Sequence, residues 1–156
     1  YNAIEPAGAG RTLAVLTADH GLVDTDPDRN IDLNAFDVIW EHLKTDAAGR
    51  PIPPVGSARN VHLHLEPAGI EPVRAALEPL DARILTRAAA IDQELFGRRG
   101  YGSAFDRRCG DLVVAPRDRA LWHRIHERTF VSHHGGLHPA EMLVPFATAR
   151  LSALTG

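Results

Sequence analysis

The chain has 156 residues, of which 44% are hydrophobic, so it is the size of one domain and can bury a core of its own. It carries 17 lysines and arginines against 20 aspartates and glutamates, which gives a net charge of −3 at pH 7. This balance provides no strongly basic field to attract nucleic acid. We therefore expect no nucleic-acid binding.

The single cysteine, Cys109, excludes an internal disulfide and the cysteine-based zinc and redox motifs. The cysteine count does not determine the compartment; it fits a reducing one, and of the possible locations the cytoplasm is favoured. No stretch approaches the roughly 18 apolar residues of a membrane span, and we expect a soluble protein that does not bind a membrane. Because the chain opens on Tyr1 and a glycine- and proline-containing connector at 1–10, it is expected to be a piece of a longer protein.

The first part of the chain alternates between apolar runs and polar or proline-rich stretches. The apolar run at 11–18 is too short for a helix and predicts a strand covered on both faces. Acidic and polar residues predict an exposed loop over 23–34, which lacks the glycine and closing glutamate of an EF-hand calcium loop. Apolar spacing predicts a short helix over 35–43, and glycines and prolines predict a loop over 46–57.

The alternation over 61–65 predicts a half-buried strand with His62 and His64 on the same face. Two histidines at this spacing can chelate a metal. No third ligand is evident nearby, so we favour the interpretation that both lie on the exposed face of an outer strand.

The middle of the chain reads as a small α/β layer, with helices over 70–80 and 88–96 and a strand over 82–86 between them. The glycine- and arginine-rich residues 98–108 predict a loop, whose arginines either meet phosphate or are simply solvated.

The last third contains the strongest β signal after the first strand. This signal covers 111–116, and 120–126 is expected to lie beside it across a turn. Because Pro145 disrupts a helix interior, 142–144 is predicted as strand or turn and 147–154 as strand or short helix.

Two stretches carry the chemistry of the sequence. A Thr-Ala-Asp-His-Gly motif follows the first apolar run and places Asp19 and His20 at a strand end, while His134 lies on a glycine-flanked turn far downstream. Oxygen and imidazole ligands together suit zinc, or manganese when more oxygens join. Asp19 and His20 can share an ion only if the chain turns there, which Gly21 permits. The alternative is that Asp19 caps a turn and His20 hydrogen-bonds to it.

Three motifs occur in an order that resembles a known family: the one at 17–21, Arg-Cys-Gly-Asp-Leu-Val at 108–113, and His134-Gly-Gly-Leu with Glu-Met-Leu-Val-Pro at 141–145. They resemble the C-terminal half of the alkaline phosphatase superfamily, and within it the type I phosphodiesterase and nucleotide pyrophosphatase family. The resemblance implies an α/β fold, the C-terminal part of an alkaline-phosphatase-like α/β sandwich, over 1–156. It also implies that 31–108 is a small inserted α+β cap.

The same resemblance assigns roles to individual residues. It implies that Asp19 and His20 ligate one of two divalent metal ions, zinc or manganese, and that His134 ligates the other. His133 receives no ligand role, although a shift by one position is an open alternative. The family's remaining ligands and its Thr or Ser nucleophile have no match here, so the resemblance implies catalytic residues outside this chain.

The implied activity is hydrolysis of phosphodiester or pyrophosphate bonds in small nucleotide-type substrates, with the chain inactive on its own. Phosphomonoesterases, sulfatases, phosphonate hydrolases and cofactor-independent phosphoglycerate mutases use related metal sites and are alternatives. A non-catalytic α/β binding module is an alternative of a different class. A sheet edge cut where the other half belongs also predicts exposed apolar surface and self-association.

Overall fold

The computed structural model describes residues 6–98 and 100–154. Within these residues the helices are α1 (Pro6–Ala9), α2 (Asp37–Glu41), α3 (Ile70–Leu77), α4 (Arg87–Asp92), α5 (Ser103–Arg108) and α6 (Pro139–Met142). The strands are β1 (Leu13–Thr17), β2 (Val23–Asp24), β3 (Ile31–Asp32), β4 (Val55–Ser57), β5 (Asn60–Leu63), β6 (Ala82–Thr86), β7 (Leu112–Pro116), β8 (Leu121–Trp122), β9 (Ser132–His133) and β10 (Phe146–Arg150).

The core lies on an antiparallel sheet with the strand order β4-β5-β7-β6, which has four strands in the described part of the chain. Alternate residues of β5 and β7 face the core, because side chains of a strand point to opposite faces in turn. Helix α3 covers this face with the two buried side chains Val73 and Leu77. The core residues on these elements that are 0% exposed are Leu63, Val73, Leu77, Leu112 and Val114.

Periodicity identified most of this unit correctly. Helices α2, α3 and α4 and strands β5, β6 and β7 all lie within or next to their predicted ranges. Helix α4 is shorter than predicted, because Glu94 adopts a φ of +54° and ends the helical run. The predicted cap ends at residue 108, but strand β7, which lies after that residue, belongs to the same sheet as β4, β5 and β6. The division of the chain into a core and a cap stays a prediction.

Four stretches predicted as loops or connectors contain regular structure. Helix α1 lies within 1–10, and strands β2 and β3 lie within 23–34, where the buried Ile31 and Leu33 contradict an exposed loop. Within 46–57, strand β4 forms a hairpin with β5, and Gly56 has a φ of +102°. A Cβ on Gly56 would lie 2.3 Å from the Asn60 carbonyl oxygen, so the glycine that suggested a loop permits the close approach of two strands. Within 98–108, α5 forms because Phe105 packs its ring edge against Phe96, with ring centroids 5.3 Å apart.

The predicted neighbour of β7 pairs elsewhere. Strand β8 lies parallel to β3, with Leu121 opposite Ile31, so the expectation of a β7–β8 pair is wrong. The turn between β7 and β8 wraps around the side chain of Arg59, which donates hydrogen bonds to the carbonyl oxygens of Arg117 and Arg119. This contact directs the chain away from the four-stranded sheet.

Strand β1 pairs antiparallel with β10 along its whole length, from Leu13 opposite Arg150 to Thr17 opposite Phe146. We call this pair the terminal ribbon. The expectation that β1 is covered on both faces is wrong for the described residues, since Leu13, Val15 and Leu16 are 61%, 53% and 66% exposed. Apolar side chains are buried only where another layer covers them, and in the described residues β10 is the sheet partner of β1.

A shorter antiparallel pair links the two motif stretches. Strand β2 pairs with β9, which places Val23 opposite His133. After β9 the chain forms the glycine turn and α6, and then returns as β10 beside β1. The predicted element over 147–154 is thus strand β10 followed by a 3₁₀ turn. None of the described helices has the length and apolar content needed to cross a membrane.

Candidate functional site

The Asp-His-Gly turn lies at the end of β1, where the chain passes against α6. The backbone N–H of Gly21 donates to the carbonyl oxygen of Glu141 at 2.9 Å. A Cβ on Gly21 would lie 1.9 Å from the carbonyl oxygen of Ala140. Glycine is therefore needed at this position for the close approach of two backbone segments.

Asp19 and His20 turn toward each other rather than to opposite sides. His20 Nε2 lies 3.5 Å from Asp19 Oδ2, and His20 Nδ1 lies 2.9 Å from the carbonyl oxygen of Gly21. A carbonyl only accepts hydrogen bonds, so Nδ1 carries a proton. In the neutral imidazole the Nε2 lone pair then faces the carboxylate and two acceptors lie side by side, whereas in the imidazolium Nε2 pairs with the carboxylate as a charged group.

This geometry fits a divalent cation between the two groups. Two ligands at about 2.0–2.1 Å from zinc and at the tetrahedral angle are about 3.3–3.4 Å apart, close to the observed separation. Metal-ligating histidines also donate their other ring N–H to a carbonyl or carboxylate, as His20 does to Gly21.

His134, from the other motif, lies against His20. Its ring stacks on that of His20, with centroids 3.8 Å apart and planes 8° apart. Gly135, with a φ of +97°, makes the turn that presents it. Hydrogen bonds from the backbone N–H groups of His20 and of Asp19 itself lower the pKa of Asp19, and the charges of His20 and His134 add to this. The structure thus brings together all three predicted site residues.

His133 points elsewhere. It is 8% exposed, and its Nε2 lies 3.2 Å from the Phe130 carbonyl oxygen. Burial lowers its pKa. Of the two adjacent histidines, His134 is the one that faces His20.

The three residues do not form a complete metal cage. Over residues 6–98 and 100–154, no group of three or more His, Cys, Asp and Glu side chains is placed to hold a metal ion. The described residues supply an oxygen–nitrogen pair and a facing imidazole, and a full site needs further donors.

His62 and His64 do not join this site. The expectation that they lie on the exposed face of an outer strand is wrong. His62 is on β5, which lies between β4 and β7, His64 follows β5, and both side chains are half-buried. His62 Nδ1 accepts a hydrogen bond from the Gly110 N–H at 3.1 Å. Burial is the largest cause of the lowered pKa of each. Both line an open pocket of about 580 Å³ together with Phe96, Phe105, Arg107 and Cys109.

Sequence reasoning missed a buried ion pair beneath the site. Arg59 Nη2 lies 2.9 Å from Glu141 Oε2, and the two side chains are 0% and 1% exposed. Burial opposes the charge of Glu141, but hydrogen bonds from Arg59 and the Gly136 N–H outweigh it and lower the pKa of Glu141. No local signal marks Arg59, because an arginine in a polar turn is exposed by default.

The described residues have an α/β fold similar to part of an alkaline-phosphatase-like fold. Human ectonucleotide pyrophosphatase/phosphodiesterase 5 matches 87% of this chain with a TM-score of 0.58 and 14% sequence identity. Phosphonoacetate hydrolase from Sinorhizobium meliloti 1021 matches 88% of the chain, with a TM-score of 0.57 and 19% identity in the phosphonoformate complex. In the phosphonoacetate complex the TM-score is 0.54 and the identity is 22%.

The chain covers 33% of the human protein and 36% of the bacterial one, so it spans about a third of the solved structures that it matches. Both neighbours are members of the alkaline phosphatase superfamily. At sequence identities of 14–22%, the structural similarity between this chain and these proteins shows a shared fold. No protein-family model matches the chain, and no curated protein does.

Proposed function

We propose that this chain is the C-terminal part of a metal-dependent hydrolase that cleaves phosphodiester or pyrophosphate bonds in small nucleotide-type substrates. Asp19 and His20 hold one of two divalent ions, and His134 holds the other. The observation that carries the proposal is the facing arrangement of these side chains, with His20 Nε2 3.5 Å from Asp19 Oδ2 and the His134 ring stacked at 3.8 Å. Zinc suits this donor set, and manganese is the alternative.

The residues of the chain prepare the site for such ions. Asp19 keeps its negative charge because backbone N–H groups donate to its carboxylate. The Gly21 carbonyl holds His20 in the tautomer that leaves Nε2 free to ligate. When bound, two divalent ions would activate a nucleophile and stabilise the oxygens of an in-line displacement at phosphorus.

The nucleophile and the remaining ligands come from polypeptide outside this chain. Two observations support this. The matched structures are about three times as long as the segment shared with this chain. The terminal ribbon also exposes apolar side chains of the kind that a further layer of the same fold would cover. By itself the chain would be inactive.

A phosphonate hydrolase is the second candidate, because one of the matched proteins is a phosphonoacetate hydrolase. This function would use the same three residues and a different substrate pocket. A phosphomonoesterase, a sulfatase and a non-catalytic α/β binding module remain alternatives without a specific observation in their favour.

The test is a substrate panel on a longer polypeptide that contains this chain, with zinc or manganese present. The panel is bis(p-nitrophenyl) phosphate, p-nitrophenyl phosphate, p-nitrophenyl sulfate and phosphonoacetate. We expect the diester to be cleaved fastest. We also expect Asp19→Asn to lower the rate at least about 100-fold, because loss of an outer-shell partner alone costs 10–100-fold.

The matched control is Asp24→Asn, which changes an exposed carboxylate on β2 and should leave the rate unchanged. Cleavage of phosphonoacetate alone would support the second candidate. Zinc-dependent cleavage of the diester by the 156-residue chain on its own would contradict the proposal, as would the absence of cleavage of all four compounds by the longer polypeptide.

A further inference from the structure

We infer that Arg59 and Glu141 are positioning residues that hold the two motif turns against each other, so that His20 and His134 face one another. This inference rests on the proposed function of the site, since it assigns a purpose to the pair within that site. The side-chain hydrogen bonds of these two residues do not include the three proposed ligands. Glu141 acts through backbone groups beside the ligands, and Arg59 acts through Glu141.

Arg59 lies in the turn of the β4–β5 hairpin and reaches Glu141 with a forked contact. Its Nε lies 3.2 and 3.3 Å from the two carboxylate oxygens of Glu141, and its Nη2 lies 2.9 Å from Oε2. The planar guanidinium matches a carboxylate in this two-point geometry, which fixes orientation as well as distance.

Two further donors of Arg59 are also used. Nη2 donates to the Arg117 carbonyl oxygen at 2.6 Å, and Nη1 donates to the carbonyl oxygen of Arg119. A buried charge needs a partner of opposite sign and further hydrogen bonds. Arg59 has both, so its position is determined from three sides.

The Glu141 side chain holds the turn that follows His134. Its Oε1 accepts a hydrogen bond from the Gly136 N–H at 2.9 Å, and its Oε2 accepts one from the His138 N–H at 3.3 Å. A Cβ on Gly136 would lie 2.8 Å from Oε2, so the backbone approaches the carboxylate as closely as a glycine allows.

The Glu141 main chain holds the turn that follows His20. Its carbonyl oxygen accepts the hydrogen bond from the Gly21 N–H at 2.9 Å. Glu141 thus binds the residue after His20 through its backbone and the second residue after His134 through its side chain. The stack of the two imidazoles at 3.8 Å lies between these two attachments.

A buried ion pair is weak evidence of stabilisation, because replacing both partners with apolar residues is often neutral or stabilising. The pair can nevertheless fix the orientation of the turn after His134. An apolar pair of similar volume would offer no acceptor to the Gly136 and His138 N–H groups, and the turn that presents His134 would lose its attachment.

The experiment measures the imidazole C–H proton resonances of His20 and His134 by NMR in the 156-residue chain. In a face-to-face stack each ring shifts the protons of the other upfield. The variants are Arg59→Lys, Glu141→Gln and the double variant Arg59→Met/Glu141→Met. The methyl resonances of Leu63, Leu112 and Val114 report whether the core is folded.

We expect all three variants to lose the upfield shifts of both histidines, and the double variant to keep the core methyl resonances. Lys44→Met is the matched control: it breaks the ion pair of Lys44 Nζ with Asp111 Oδ2 at 2.8 Å, away from the motif turns, and should leave the histidine resonances unchanged.

Retention of the upfield shifts in the folded double variant would overturn the inference. Loss of the core methyl resonances in that variant would overturn it as well, because the pair would then support the whole fold rather than the site. The measurement uses neither metal nor substrate. It therefore gives the same answer whether or not the longer polypeptide hydrolyses a phosphodiester.

Discussion

His20 and His134 come from opposite ends of the chain, and their rings stack with centroids 3.8 Å apart. Two structural relationships produce this contact. Strand β2 pairs with β9, and β1 pairs with β10, so the segment after Thr17 runs beside the segment after His133.

The close approach at Gly21 predicts a sensitive site for substitution. Gly21→Ala would place a Cβ 1.9 Å from the Ala140 carbonyl oxygen, so one backbone segment must move. We expect a loss of about 1–3 kcal/mol in the free energy of unfolding, measured by urea denaturation. Gly102→Ala is the control, since a Cβ there meets nothing within 4 Å and should change stability by less than about 0.5 kcal/mol. Equal effects of the two variants would contradict the prediction.

The hydrogen bonds of His20 and His62 predict opposite neutral tautomers. His20 donates from Nδ1 to the Gly21 carbonyl, whereas His62 Nδ1 accepts from the Gly110 N–H, which places its proton on Nε2. Long-range ¹H–¹⁵N correlation of the imidazole rings at alkaline pH distinguishes the two forms. A His20 protonated on Nε2 would show that its lone pair does not face Asp19.

The ion pairs of Asp111 predict a dependence of stability on pH. Burial alone would raise the pKa of Asp111, but hydrogen bonds from Lys44 and the Leu65 N–H and the charges of Lys44 and Arg87 outweigh it, so the pKa is lowered. The unfolded chain therefore binds this proton at a higher pH than the folded chain does. The stabilisation is complete above the ordinary value of about 3.9 and is lost as the pH falls through the lower folded value.

Urea denaturation between pH 6 and pH 2 measures this effect. The free energy of unfolding should decline less steeply with falling pH in Asp111→Asn than in the unmodified chain. Asp118→Asn, which changes an exposed carboxylate, serves as the control and should keep the original slope. If the free energy of unfolding of Asp111→Asn declined with pH as steeply as that of the unmodified chain, the Asp111 carboxylate would not contribute to the pH dependence of stability.

The terminal ribbon predicts self-association of the chain on its own. Leu16 and Phe146 are 66% and 74% exposed, and exposed apolar strands pair with other copies. Sedimentation velocity should show concentration-dependent association, which Leu16→Glu and Phe146→Glu reduce. Ala47→Glu adds the same charge at an exposed position away from the ribbon and should leave association unchanged. A single monomeric species at all concentrations would refute this prediction.

The local sequence pattern was sufficient to predict a helix or strand where the residues of that element alone determine its structure. Helix α3 and strands β5 and β7 follow from the 3.6- and 2-residue periods of their apolar residues, because each places those residues on the side facing the core. It failed at α5 and β4. In both cases the element depends on a contact outside its own residues, the Phe96 ring for Phe105 and the Asn60 carbonyl of the neighbouring strand for Gly56.

The sequence by itself predicted the α/β class, and its motifs, through the resemblance to a known family, pointed to Asp19, His20 and His134 as candidate ligands. Only the tertiary structure decided that His134 rather than His133 faces His20, which tautomer His20 adopts, and that Arg59 is buried against Glu141. The first and the third depend on atoms from segments far apart along the chain, whereas the His20 tautomer depends on how the local turn places the Gly21 carbonyl. Their distances follow from strand pairing and close backbone contacts, which no single motif contains.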